Sequence, residues 1–225
     1  MNRVLYVLVI AIACIAGACA PSLVYDPSLQ LSHQPLAQGD VQGTVGVAYL
    51  LETRPIAVDR KGQAGPTIML HGAFSPTVEL GARYWMTFDS FHPDSSYRSG
   101  VSAEASIHIS SPTAGTRYSM VPRAAMLIAD NSIEGGGVSL QGVAVRSISD
   151  QFGLYGGFGP VFGYRDLSAS DDQWGVGAIA NVGASLTPMS TLGIGLEISA
   201  VGYYDAYTKK TAGGVSPSMF VGYRF

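Results

Sequence analysis

From Val41 onward the chain alternates between apolar and polar positions in ten stretches, each bounded by turn-forming residues. The stretches are 41–52, 66–75, 78–88, 99–110, 116–129, 137–148, 151–165, 173–187, 191–204 and 214–225. In 191–204, Leu192, Ile194, Leu196, Ile198 and Ala200 share one face, and Gly193, Gly195, Glu197 and Ser199 share the other. In 99–110, Val101, Ala103, Ala105, Ile107 and Ile109 oppose Ser102, Glu104, Ser106, His108 and Ser110. A period of two is the mark of a strand between two unlike environments. The pattern predicts an all-β chain. By itself it fits a two-sheet sandwich as well as a barrel.

The links between stretches separate these readings. Those at 75–77, 111–115, 147–150 and 187–190 are short, whereas those at 53–65, 89–99, 129–137, 166–173 and 205–214 are longer. Short turns begin at 75, 111, 147 and 187, giving repeats of 36, 36 and 40 residues, one hairpin each. This asymmetry resembles the small up-and-down β-barrels of the bacterial outer membrane, which have short periplasmic turns and longer outer loops. The resemblance implies a ten-stranded antiparallel transmembrane barrel over 41–225, or eight strands if one hairpin merges. An even number brings both termini to the short-turn side, the periplasm.

Ring placement supports the barrel. On the apolar parity, Phe74, Tyr118, Phe152, Tyr223 and Phe225 stand beside the short turns. Tyr84, Trp174 and Tyr204 stand near the long links, and the middles are aliphatic. Two aromatic bands flanking an aliphatic belt suit a wall that meets lipid, because amphipathic rings settle at headgroup level. These eight residues form the expected girdle, with outer-membrane lipids as the partner.

The two ends carry signals of their own. In "PSMFVGYRF", Val221, Tyr223 and Phe225 resemble the recognition signal of outer-membrane barrels, which implies handling by the barrel-assembly machinery through this strand. At the other end, Arg3, an apolar run from Val4 to about Ala16 and then small residues read as a signal peptide over 1–18. The following Cys19 resembles the lipidated cysteine of a bacterial lipoprotein, the other reading being ordinary cleavage that leaves a free thiol. Residues 19–40, with Pro21, Pro27 and Pro35, read as a lipidated cysteine and a periplasmic tether.

Composition narrows the function. Only 13% of residues are charged and the net charge is −3 without a Lys/Arg cluster, which speaks against a nucleic-acid partner. Most strand charges fall on the inward parity: Glu79, Arg83, Glu104, Arg117, Arg123, Glu197 and Arg224, with Arg146 joining them if Gln141–Gly142 is a bulge. Charges inside a narrow barrel are costly to bury singly, so pairing across the lumen is expected. Inward glycines such as Gly157, Gly159 and Gly195 would leave room for the long Arg and Glu chains.

A plugged, structural or interaction barrel is the first functional reading, and a narrow pore lined by the same charges is the alternative. A membrane-embedded hydrolase is a minor third. Its candidates, Asp89, His92, Asp94, Asp171 and Asp172 in the long links and His108 with Ser110 in a strand, lack the required spacing or stand at the wrong end. The expectation is no enzyme, no cofactor and no metal site, the four His being scattered. Oligomeric state is left open.

Overall fold

The computed structural model describes residues 29–30, 34–53, 62–89, 98–110, 115–129, 132–165, 173–205 and 209–225. The expected signal segment, Cys19, and the loop residues His92, Asp94, Asp171 and Asp172 lie outside them. Ten strands follow one another: β1 Val41–Thr53, β2 Gly62–Ser75, β3 Val78–Asp89, β4 Arg98–His108 and β5 Thr116–Ala129. They continue as β6 Ser132–Ser147, β7 Phe152–Arg165, β8 Gln173–Met189, β9 Leu192–Asp205 and β10 Lys210–Arg224. Each pairs antiparallel with the next, and β10 pairs with β1, so the sheet closes into an up-and-down barrel of ten strands, not eight. Closure removes every sheet edge, which an open sheet would leave with unpaired backbone groups.

The seam runs from Gln42 opposite Arg224 to Thr53 opposite Gly213. Beyond it the Phe225 amide donates to the Val41 carbonyl at 2.9 Å. The Phe225 ring meets Tyr223 edge-on with centroids 5.1 Å apart. It also covers Gly43, where an added Cβ would stand 3.4 Å from the ring.

Four links are shorter than expected; β2 already begins at Gly62 and β10 at Lys210, within the links expected over 53–65 and 205–214. The long link expected over 129–137 is mostly strand, since β6 begins at Ser132 and only residues 130–131 separate it from β5. The ladder absorbs this with a register shift at Leu127/Ile128, opposite Gly135 and Ile133. Three consecutive glycines at 135–137 read as a loop, yet here they serve close strand approach: a Cβ on Gly136 would stand 2.8 Å from the Ala125 carbonyl. Similarly, β8 runs on to Met189, which shortens its turn to residues 190–191.

The two faces of the wall reverse the usual distribution of polarity. Val45, Val47, Ile68, Leu70, Leu196 and Ile198 are exposed on the outer face, each with more than half its surface free. Thr44, Thr67, Gln141, Glu197, Ser199 and Ser216 are buried on the inner face. All eight expected girdle residues are exposed on the outer face, from Phe152 at 37% to Phe225 at 75%.

Inside, the large rings stand against the wall. Trp85 lies over Gly100, Tyr155 over Gly183, Phe220 over Gly195 and His71 over Gly81, always on the adjacent strand. A Cβ at any of these glycines would come within 2.0–2.2 Å of the ring. The expectation that inward glycines accommodate Arg and Glu chains is corrected at two of them: Gly195 accommodates the Phe220 ring, and Gly157 accommodates Leu29, whose Cδ1 would be 3.0 Å from an added Cβ.

Candidate functional site

The lumen holds most of the chain's buried chemistry. Glu79, Arg83, Glu104, Arg117, Arg123 and Glu197 are all buried there, and Arg224 is half-buried at the short-turn mouth. Arg146 is not among them. The β6 register runs unbroken through Gln141 and Gly142, so the expected bulge is not there and Arg146 keeps the outward parity, exposed.

At mid-height, Glu104 gathers three partners. Arg123 Nε donates to Oε2 at 2.7 Å, an Arg83 nitrogen lies 3.7 Å from the same oxygen, and His71 Nε2 bonds Oε1. Adjacent strands bring these groups together, since Glu104 and Arg123 are direct cross-strand partners of β4 and β5. Two guanidinium groups on one carboxylate make a compensated network, which a buried charge needs.

Glu197 was expected to meet an arginine. It receives neutral donors instead, five of them among the described residues. Tyr155 Oη donates at 2.6 Å, Ser199 Oγ at 2.6 Å and Asn181 Nδ2 at 3.0 Å. The other two are backbone amides, from Leu29 at 2.7 Å and Gln30 at 2.8 Å. A carboxylate saturated by oriented dipoles is stabilised without a counter-charge, because hydrogen bonds to an ionised acceptor are the strong ones.

The two amides expose a second correction. Residues 19–40 read as a tether, but Leu29 and Gln30 lie inside the barrel, 1% and 0% exposed. Arg83 donates to the Leu29 carbonyl at 3.1 Å and Gln30 Nε2 to Thr67 Oγ1 at 2.9 Å. The Leu29 side chain joins an apolar layer of Val121, Val143, Val145, Tyr155 and Phe220. One peptide unit thus bridges the Glu197 and Glu104 clusters. Neither Leu29 nor Gln30 carries a sequence signal, because a short inserted segment has no period.

Residues 34–40 lie at the short-turn mouth. Gln34 Nε2 donates to the Asp150 carbonyl at 2.8 Å, Arg224 to the Pro35 carbonyl at 3.3 Å, and the Leu36 amide to Glu79 Oε1 at 3.4 Å. Gly39 and Asp40 exchange hydrogen bonds with Ala73 at the end of β2. Gly39 has φ +92°, a conformation that glycine adopts without strain.

Beside this segment lies a polar cavity of about 20 Å³ lined by Glu79, His71, His108, Arg117, Gln42 and Ser119, among others. Glu79, His108 and Ser119 form a chain: Glu79 Oε1 to His108 Nε2 at 3.1 Å, then His108 Nδ1 to Ser119 Oγ at 2.8 Å. The residue types are those of an acid–base–nucleophile relay. The space beside them admits about one water, and Ser119 is buried. Ser110 is elsewhere, its hydroxyl accepting from the Tyr118 amide at 2.7 Å. No group of three or more His, Cys, Asp or Glu placed to hold a metal occurs among the described residues.

No protein-family model matches the chain, and no curated protein matches it in sequence. Its neighbours among solved structures are outer-membrane barrels. The attachment invasion locus protein Ail of Yersinia pestis is 14% identical, with 84% of this chain and 100% of that one covered and a TM-score of 0.41. The outer membrane protease OmpT of Escherichia coli is 10% identical, with 86% and 100% covered and a TM-score of 0.46. An outer membrane channel of Pseudomonas putida F1 is 9% identical, with 86% and 98% covered and a TM-score of 0.49. An attachment protein, a protease and a channel share no activity, so no functional subfamily emerges.

Proposed function

We propose that the chain is a bacterial outer-membrane barrel of structural or interaction type, its lumen closed by the Glu/Arg network and by its own N-terminal segment. The observation that carries this reading is the reversed polarity of the wall. An apolar outer face of this extent would be an aggregation hazard in water, and in a bilayer it is the solvated face. Strands of 11–17 residues, tilted as barrel strands are, meet or exceed the roughly 9–11 residues needed to cross. The exposed rings Phe74, Tyr118, Phe152, Tyr223 and Phe225 near the short turns, and Tyr84, Trp174 and Tyr204 near the loops, would sit at the two headgroup levels.

In this reading the short turns and both termini face the periplasm, and the assembly machinery engages Val221, Tyr223 and Phe225 on β10. Cys19 carries a lipid on the same side. The narrow-pore alternative is weaker for the intact chain, because Leu29, Gln30 and the buried charges occupy the lumen.

The test is cell fractionation combined with gel mobility before and after heating. A closed membrane barrel fractionates with the outer membrane and changes mobility on heating. A chain recovered as a soluble monomer without detergent would overturn the reading. Metabolic labelling with palmitate should mark the wild type and not Cys19→Ser; equal labelling would remove the lipid from the proposal.

A further inference from the structure

The widest luminal rings are seated over glycines, and Trp85 also meets Ala125 and Ile179 inside the barrel. Trp85, Tyr155, Phe220 and His71 each lie against the wall over a glycine of the next strand, where any other residue would push the ring inward. Two residues from outside the sheet, Leu29 and Gln30, are buried among these side chains. Every polar atom of the Leu29 peptide unit is met: Glu197 takes the Leu29 and Gln30 amides on separate oxygens, and Arg83 donates to the Leu29 carbonyl. The leucine side chain has its own recess, formed by Gly157 and Val143 among others. The Gln30 side-chain amide has Thr67. Gln30 adopts φ +52°, a left-handed conformation that a non-glycine residue keeps only where its surroundings impose it.

These contacts come from β2, β3, β6, β7 and β9. They read two backbone amides, one carbonyl, one branched aliphatic side chain and one carboxamide. That is the way a receptor reads an extended peptide, with backbone bonds for affinity and a recess for identity.

We propose that the lumen is a peptide-binding site whose resident ligand is Leu29–Gln30, and that vacating it unlinks the Glu197 and Glu104 clusters it bridges, letting small ions pass between them. The proposal rests on the membrane-barrel reading, so that reading is checked first, on the wild type, by its change in gel mobility after refolding into vesicles. Failure there rejects the barrel reading and is distinct from the outcomes below.

Conductance in planar bilayers then decides the proposal. The variant is Leu29→Asp, which sets a carboxylate in an apolar recess beside Glu197 and leaves the wall unchanged. The probe is a synthetic peptide covering residues 27–40. The wild type should be silent, Leu29→Asp should show discrete steady steps, and the added peptide should return the current to baseline. A folded Leu29→Asp barrel that stays silent overturns the proposal. So does a wild type with the same open current, or a conducting variant that ignores the peptide. If Leu29→Asp fails to fold, the double variant Leu29→Gly with Gln30→Gly, which removes both recognised side chains without adding a charge, is read by the same criteria.

Discussion

The amide nitrogen of Leu29 lies 2.7 Å from a carboxylate oxygen of Glu197, across 168 positions of sequence. The Gln30 amide takes the other oxygen at 2.8 Å. The bond joins a segment outside the sheet to the middle of β9, and it turns Glu197 from a wall residue into the anchor of whatever fills the lumen.

Glu197→Ala should therefore destabilise the barrel more than any single hydrogen bond would suggest. It strands three side-chain donors and two amides in a water-poor interior, where a stranded donor costs about 1–3 kcal/mol. A loss of about 3–5 kcal/mol is expected. Denaturant unfolding in lipid vesicles, followed by gel mobility, measures it. A midpoint equal to the wild type's would mean that the donors re-pair and the carboxylate is dispensable.

Within the Glu104 cluster the two sides are unequal. Arg123→Ala leaves Glu104 with His71 and Arg83, whereas Glu104→Ala leaves two guanidinium groups facing each other without their shared anion. Glu104→Ala should unfold at the lower denaturant concentration, with Arg123→Ala between it and the wild type. The reverse order would show that Arg123 has structural work apart from Glu104. Breaking a buried pair from one side costs about 3–5 kcal/mol, large enough to rank the two.

Gly195→Ala tests the seating of the inner rings. The new Cβ would fall 2.1 Å from the Phe220 ring, so the ring must move toward the axis. Overpacking of this kind costs about 1–3 kcal/mol. In the double variant with Phe220→Leu the penalty should be smaller than the sum of the single effects, because the clash is gone. Strict additivity in unfolding free energy would argue that the glycine serves the strand and not the ring.

Phe225→Ala separates assembly from stability. The ring contacts Tyr223 and covers Gly43, contacts of about 0.5–1.5 kcal/mol, and its backbone bond to Val41 survives the substitution. Refolded protein should lose little stability. Assembly in cells should fall much further, read as the fraction of chain with folded gel mobility in the outer membrane. Equal effects in both settings would reduce Phe225 to a packing residue.

The wall was legible because alternation is local. Whether Leu196 faces out and Glu197 in depends only on neighbours two positions away and on two unlike solvents, so the strands and their faces follow from the chain itself. The misjudged places are those where glycine has two meanings. Gly135–Gly137 read as loop but lie in β6, because glycine marks both a turn and a close strand approach. Arg146 was assigned inward through a bulge at Gln141–Gly142 that the ladder does not contain.

The lumen was legible as an inventory and not as a set of partners. Parity alone put Glu79, Arg83, Glu104, Arg117, Arg123 and Glu197 inside. Which of them meet depends on the register of each strand pair and on closure at β1 and β10, quantities that no single stretch encodes. Charge complementarity suggested an arginine for Glu197, and the tertiary structure supplied amides from a Pro-rich segment instead. The strands, their faces and the polarity of the wall are properties of adjacent residues and are written locally. What fills the barrel is not, because it is chosen by a cavity that exists once the sheet has closed.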